Sequence, residues 1–255
     1  MASTKKSLDA ESQWVELYNT DSEFRNKVNT KLMINCTSAK KAPNGFVTES
    51  WGAITNKTNK KEVSKSDVIL GNVVGVSLKN GVGRATSSNF YETKAIFGSI
   101  LNLERYQNDT ELVNKVEGLF NLWSDYSVRI QTPYTTTTRS IKSGKETHEK
   151  LEQYIDRAKL LDQKVKQIVK EHPDYMADVM RECLTAEHKF GNTVNRANYY
   201  YEMEKNDCHK IKFACSVNSA EFRQKCYDLL KSVNIAMKSS GGGKKSFRIH
   251  WIRFM

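Results

Sequence analysis

The chain has 255 residues, with 40 Lys and Arg against 29 Asp and Glu, a formal net charge of +11 and a pI near 9.3. That length can bury a substantial core as one large domain or two small ones. The charge suits a polyanionic partner, without separating a nuclease from a ribosomal or membrane-surface protein. Five cysteines, odd in number and without a Cys-X-X-Cys pair, argue against a disulfide framework or zinc site and for reduced thiols inside a cell. Residues 1–15 lack an apolar core and no run is long enough to span a bilayer. The expectation is a cytoplasmic protein with no signal peptide and no membrane partner.

Leu8 to Asn35 predicts two helices broken near Asp21, with Trp14, Leu17 and Tyr18, then Phe24, Val28, Leu32 and Met33, at helical spacing. These residues suit core packing or a dimer face. Cys36 to Ser64 is polar, with Trp51 as a local anchor. Within it Glu49 is a candidate accessory acid or an ordinary surface carboxylate, and Lys57, Lys60, Lys61 and Lys65 either touch phosphates or coat a solvated loop.

Ser64 to Glu92 is the most informative stretch. Val68 and Leu70 share one face of a first strand, and Val74, Val76 and Leu78 share one face of a second. Pairing Val68 with Val76 and Leu70 with Val74 leaves Gly71-Asn72-Val73 as a three-residue loop, in which Gly71 or Asn72 takes the left-handed conformation. Asp67 then lies opposite Ser77, with Lys79 one step along on the same face and Gly75 leaving space beside Ile69. Asn80 to Ser88 reads as a polar loop. Its Gly81 and Gly83 lack the third glycine and following lysine of a phosphate-binding loop, and so read as a flexible connector. Asn89 reads as the N-cap of a helix carrying Ala95, Ile96, Ile100 and Leu103 on one side. Glu92, three residues on, is at capping-box spacing, and it is also where a first turn could bring a carboxylate back over the strand pair.

Asp109 to Trp123 predicts an amphipathic helix through Leu112, Val113, Val116, Leu119 and Phe120. Ser124 to Gly144, with Pro133, Arg139 and Lys142, reads as a mobile loop that closes over a DNA groove or links two halves. Glu146 to Glu171 predicts a long helix burying Leu151, Ile155, Leu160, Leu161, Val165, Ile168 and Val169. A second helix starts near Pro173, its alternating charges reading as a solvent-facing scaffold surface. Glu187-His188-Lys189 is a Glu-X-Lys, but the pattern before it is helical, so it ranks below the Asp67 hairpin. Lys189, Asn192, Asn195, Arg196 and Asn198 form a polar set of the kind that contacts base edges or phosphates. Tyr199–Tyr201 and His209–Cys215 read as paired strands, Ala220–Leu230 as a helix and Val233–Met237 as a strand. Lys238, Lys244, Lys245 and Arg248 surround a glycine hinge before an alternating strand, which is either a DNA-facing hairpin or a basic, solvated turn.

Phosphodiester hydrolysis calls for a divalent cation to polarise the phosphoryl oxygen and lower the pKa of the attacking water, carboxylates to hold it, and a lysine to orient that water. The position two before Lys79, where a second acid is expected, is Ser77, and the nearest replacement is Glu92. Lys65, Asp67, Val68 and Ile69, then Ser77-Leu78-Lys79, then Ser88 and Glu92, resemble the catalytic block of the PD-(D/E)XK superfamily of restriction-endonuclease-like nucleases. More narrowly, they resemble its variant with Ser-X-Lys on the strand and a Glu from the following helix. The block is similar to those of several type II restriction enzymes and of nuclease-like proteins of large tailed phages. The likeness is close over Ser64 to Glu92 and looser over Arg181–Phe190 and Val233–Gly243. Ser66 stands where the family has proline. Ser77 stands where it has an acid, which makes activity depend on Glu92.

The resemblance implies a mixed α/β (α+β) domain of restriction-endonuclease type over residues 1–255, with a central sheet and many flanking helices. Its parts are a helical region at 1–63, the catalytic hairpin and helix at 64–104, a second helical region at 109–185, and C-terminal strands with a DNA-facing segment at 186–255. It also implies Mg²⁺-dependent endonucleolytic cleavage of double-stranded DNA, of the sequence-specific type II kind, by a monomer or a homodimer. Asp67, Glu92 and the Leu78 carbonyl would bind metal, and Lys79 would position the water. Lys189, Asn192, Asn195, Arg196, Lys238, Lys244 and Lys245 would contact DNA. On the plainer reading Asp67 is a strand-edge acid paired with Lys65 or Lys79. The second functional reading is a DNA-binding or virion-associated protein that keeps the nuclease fold without turnover. An RNA nuclease ranks lower, because the basic stretches show little aromatic interleaving.

Overall fold

The structure, a computed structural model, describes residues 2–43, 64–81, 86–126, 130–131, 149–239 and 246–254. In chain order the first elements are α1 (Ala2–Thr20), α2 (Ser22–Leu32), β1 (Ala39–Lys41), β2 (Val68–Leu70), β3 (Val74–Asn80), β4 (Thr86–Asn89), α3 (Phe90–Leu101) and α4 (Thr110–Tyr126). Then come β5 (Ile130–Gln131), α5 (Glu149–Glu171), α6 (Pro173–Thr185), α7 (Glu187–Phe190), β6 (Tyr199–Glu204), β7 (Asp207–Ser216), α8 (Ala220–Leu230), β8 (Asn234–Ser239) and β9 (Ser246–Phe254). The fold is mixed α+β, and no described helix is long and apolar enough to cross a membrane. The chain, read from sequence as one domain, divides into two compact units, Met1–Ala85 with Met180–Asp228 and Thr86–Val179 with Leu229–Met255. The hairpin belongs to the first unit and the helix after it to the second.

The first unit is built on a five-stranded mixed sheet of order β1-β2-β3-β6-β7, in which β6 runs parallel to β3 and the other neighbours are antiparallel. The hairpin has the expected register, Val68 opposite Val76 and Leu70 opposite Val74. Both Gly71 (φ 54°) and Asn72 (φ 61°) take the left-handed conformation in its loop. Val68, Leu70, Val76, Leu78, Tyr201 and Met203 are buried in one core with Trp14, Tyr18, Phe24, Val28 and Leu32 of α1 and α2. Trp14 stacks on Tyr18 at 5.3 Å and meets the edge of Tyr201 at 5.5 Å. Each such side chain stabilises by about 1.5–3 kcal/mol, so the helical stripe is core packing.

The break between the two helices is an N-cap. Asp21 is extended, and its carboxylate accepts the Glu23 and Phe24 amides at 2.9 and 3.0 Å. Met33, assigned by its spacing to the apolar stripe, is instead the left-handed C-cap of α2 and stands 85 % exposed. Asn19 holds β1 to α1, accepting the Ala39 amide at 2.8 Å and donating to the Ala39 carbonyl at 2.9 Å.

The space left by Gly75 is filled by backbone. A Cβ there would lie 2.1 Å from the Arg196 carbonyl oxygen and 2.7 Å from that of Val194. Asn198 clamps the same residue, its side-chain oxygen taking the Gly75 amide at 3.0 Å and its own amide donating to the Gly75 carbonyl at 2.8 Å. Ser66 Oγ donates to the Val194 carbonyl at 2.8 Å. The segment before β6 is thus stitched to the start of the hairpin.

The second unit has a sheet of order β4-β9-β5, with β8 also pairing to β9. Residues 86–88, expected to belong to a polar loop, form β4 together with Asn89, expected as a helix N-cap, which lies opposite Trp251 directly before α3. Backbone pairing with a distant strand overrides their polar composition. Helix α3 ends at Leu101, so Leu103 lies beyond it. Phe97, Phe120, Trp123, Leu161, Val165 and Ile168 are buried, but Leu160, expected inside, is 38 % exposed. Two acids of α6, expected on a solvent-facing surface, are buried instead, while Asp174 is exposed. Asp178 is 4 % exposed and bonds Arg105 at 2.7 Å and the Tyr106 hydroxyl, and Glu182, beyond the boundary between units, is 1 % exposed. All five cysteines are buried thiols outside any disulfide.

Candidate active site

Asp67 precedes β2 directly, its amide donating to the Val76 carbonyl at 2.9 Å. Its side chain turns toward β3, where Oδ2 accepts the Leu78 amide at 2.6 Å and the Ser77 hydroxyl at 3.4 Å, with Lys79 Nζ at 3.6 Å. The alternation of a strand explains why Ser77 and Lys79, two apart, reach one carboxylate. Ser77, where an acid was expected, is buried and donates to that carboxylate. The backbone group of Leu78 engaged here is its N–H, while its carbonyl was the expected metal ligand. These contacts all fall on Oδ2, so Oδ1 has no hydrogen-bond partner among the described residues.

A residue that sequence reasoning passed over completes the cluster. Glu11 of α1 is 13 % exposed in its side chain and lies 3.7 Å from Lys41 Nζ of β1. Burial pushes its carboxyl above the ordinary 4.5, and the negative charge of Asp67 pushes it further, against the opposing charges of Lys41 and Lys79. Two carboxylates and two ammonium groups therefore share one electrostatic neighbourhood within the first unit. The signal was present in the sequence: Glu11 recurs at i, i+3 and i+7 with Trp14 and Tyr18, which puts a charge on the buried face of an amphipathic helix. Glu92 is half-buried on the first turn of α3, in the second unit. Among the described residues of the unit that holds Asp67, the second carboxylate placed near it is Glu11.

The donor set fits a hard divalent cation. One carboxylate has an oxygen to spare among the described residues, the other is held where burial and then its neighbour's charge disfavour ionisation, and Mg²⁺ takes one or two carboxylates while keeping several waters. Another group, Glu111, Glu171 and His172 in the second unit, brings ligand atoms within 4.8 Å of one another. There Lys115 already bonds both glutamates, Glu171 at 2.6 Å, and supplies the positive charge.

The competing Glu-X-Lys is structural. Glu187 accepts from Arg181 Nε at 2.7 Å and from Arg196 at 3.3 Å. Burial raises its pKa, but the Arg181 hydrogen bond and the two guanidinium charges outweigh that and hold the carboxyl below its usual range. Lys189 lies over the Phe190 ring at 3.9 Å, and the buried Glu182 carboxylate caps α7 through the His188 and Lys189 amides at 2.9 and 3.2 Å.

Of the expected DNA-contacting residues, Arg196 is engaged with Glu187, and the Asn195 carbonyl accepts the Lys65 amide at 2.7 Å. Asn192 is exposed and Lys189 half-exposed. Lys238 and Arg248 face each other in the β8–β9 register of the second unit. Glu49, Lys57, Lys60, Lys61, Arg139, Lys142, Lys244 and Lys245 lie outside the described residues. Comparison with protein-family models, curated proteins and solved structures returned no match to this chain.

Proposed function

We propose that this chain is a Mg²⁺-dependent endonuclease acting on double-stranded DNA, in which Asp67 and Glu11 hold the cation and Lys79 serves the attacking water. The observation that carries this reading is the convergence of Lys79, Ser77 and the Leu78 amide on a single oxygen of Asp67, with a second, partly buried carboxylate in its electrostatic reach. The cation, when bound, supplies Lewis acidity and lowers the pKa of its water.

The chain's own residues do the positioning. The Leu78 N–H and the Ser77 hydroxyl fix Oδ2 of Asp67, which leaves Oδ1 to act as ligand. Lys79 keeps an ammonium 3.6 Å from that carboxylate, where it orients water and offsets charge developing on the phosphoryl oxygens. The net charge of +11 favours capture of the polyanionic substrate. The likeness to type II restriction enzymes makes sequence-specific cutting the first activity to assay.

Purified protein incubated with supercoiled plasmid and Mg²⁺ tests the reading. Nicking or linearisation by wild type that stops with chelator and is lost in Asp67→Asn supports it, whereas equal cutting by wild type and Asp67→Asn contradicts it. The Ser77 hydroxyl in the place of an acid favours a second reading, DNA binding without turnover. A gel shift that persists without metal, with no cleavage of any DNA offered, would select it.

A further inference from the structure

Lys41 is the one group of the cluster with no part in the chemistry just described, and its placement is built into the fold. Strand β1 pairs with β2 so that Lys41 sits opposite Val68, the residue after Asp67. The same strand is tied to α1 through the reciprocal Asn19–Ala39 bonds. Register on one side and tether on the other bring the Lys41 ammonium to α1 one turn before Trp14, 3.7 Å from Glu11 Oε2 and 3.2 Å from Ser12 Oγ. Lys79 pairs with Asp67 at 3.6 Å in the same way. Each carboxylate thus carries its own ammonium, and the two ammonium groups differ in kind. Lys79 lies two residues along from Ser77 on the hairpin itself, whereas Lys41 comes from the neighbouring strand and pairs with the second acid.

We propose that Lys41 is an internal counter-ion that occupies Glu11 in the metal-free protein and competes with the divalent cation for it, setting the cation concentration at which the site fills. This rests on the reading of Asp67 and Glu11 as cation ligands. A fixed positive charge within 4 Å of one ligand opposes arrival of a dication and neutralises a carboxylate the dication would otherwise use. A lysine chain can swing away from Glu11 while keeping its stem against the protein, so the exchange requires no movement of α1 or β1. Ser12, a second acceptor, leaves the ammonium a place beside the site after displacement. The device keeps the Glu11 carboxylate compensated beside Asp67 when metal is scarce, and it sets a threshold below which the site stays closed to cations.

The test is a titration of the full-length protein with Mn²⁺ at fixed pH, reading free Mn²⁺ by electron paramagnetic resonance, without DNA and without turnover. Wild type, Lys41→Met, Lys41→Arg and Asp67→Asn are compared, each checked for folding by circular dichroism. The expected result is a site present in wild type and absent in Asp67→Asn, filled at about tenfold lower Mn²⁺ in Lys41→Met and at the wild-type concentration in Lys41→Arg. If the Asp67-dependent site is present but Lys41→Met fills at the same or a higher concentration, the counter-ion role is overturned and the cation site stands. If no Asp67-dependent Mn²⁺ binds to any variant, the cation site itself is overturned, and this inference with it.

Discussion

The first unit contains two places where an acid and a lysine occur together, Asp67 with Lys79 in the hairpin and Glu187 with Lys189 in α7, and they end differently. In the hairpin, Asp67 meets Lys79 across paired strands, keeps one oxygen without a hydrogen-bond partner among the described residues and has a second acid for a neighbour. In α7, Glu187 and Lys189 are two apart on a four-residue helix, where such residues do not face each other. The glutamate is held by two arginines and the lysine rests on a phenylalanine ring. Strand pairing brings the acid and the lysine together in the hairpin and leaves that carboxylate with one lysine, whereas the helix holds its two ends apart and its carboxylate is paired with two arginines.

The largest effects should separate the two. Asp67→Asn is expected to lower plasmid cleavage by about 10³-fold or more and Lys79→Ala by about 10²–10⁴-fold, while Glu187→Gln cuts as wild type does per folded molecule. A Glu187→Gln loss as deep as that of Asp67→Asn would move the site to α7. Next comes Gly75→Ala. Its Cβ would fall 2.1 Å from a backbone oxygen, so a loss of about 3 kcal/mol or more is expected in urea denaturation. A loss under about 1 kcal/mol would mean that the 194–196 segment does not press on the hairpin as described.

Glu187→Gln should cost less, about 1–3 kcal/mol at pH 7, because it leaves two half-buried guanidinium groups without their carboxylate. The folded pKa of Glu187 lies below 4.5, so its contribution is fully present above that value and is lost as pH falls through the folded pKa. The gap between wild type and variant should therefore close in acid, and a gap independent of pH would sink this account of Glu187. Glu11 has the opposite sign. Its pKa is raised, so its ionisation costs stability as pH rises from 4.5 through the folded value. Glu11→Gln should melt about 1–3 °C higher than wild type at neutral pH without metal, with the difference vanishing below pH 4.5. A lower melting temperature would show that the ion pair with Lys41 outweighs the repulsion from Asp67.

The legible parts of the structure are those set by short-range rules. Alternation and a Gly-Asn loop specify the β2–β3 register, an aspartate after a helical stripe specifies the break at Asp21, and Ala220–Leu230 forms the helix its spacing predicts. What was not legible depends on partners far away in the chain. Thr86–Asn89 has no strand pattern of its own and becomes a strand only by pairing with residues 251–254. Asp178 and Glu182 look like surface charges until Arg105, Tyr106 and the amides of α7 are brought to them. Glu11 lies 56 residues before Asp67, beyond any motif window, and its one trace in the sequence is an acid in register with Trp14 and Tyr18.

The assignment of the second carboxylate is tested most directly by Mg²⁺-dependent plasmid cleavage with Glu11→Gln and Glu92→Gln beside wild type. Glu11→Gln is expected to lose about 100-fold or more, with Glu92→Gln within about threefold of wild type. Full activity in Glu11→Gln together with none in Glu92→Gln would contradict the site described here and return the cation to the helix after the hairpin.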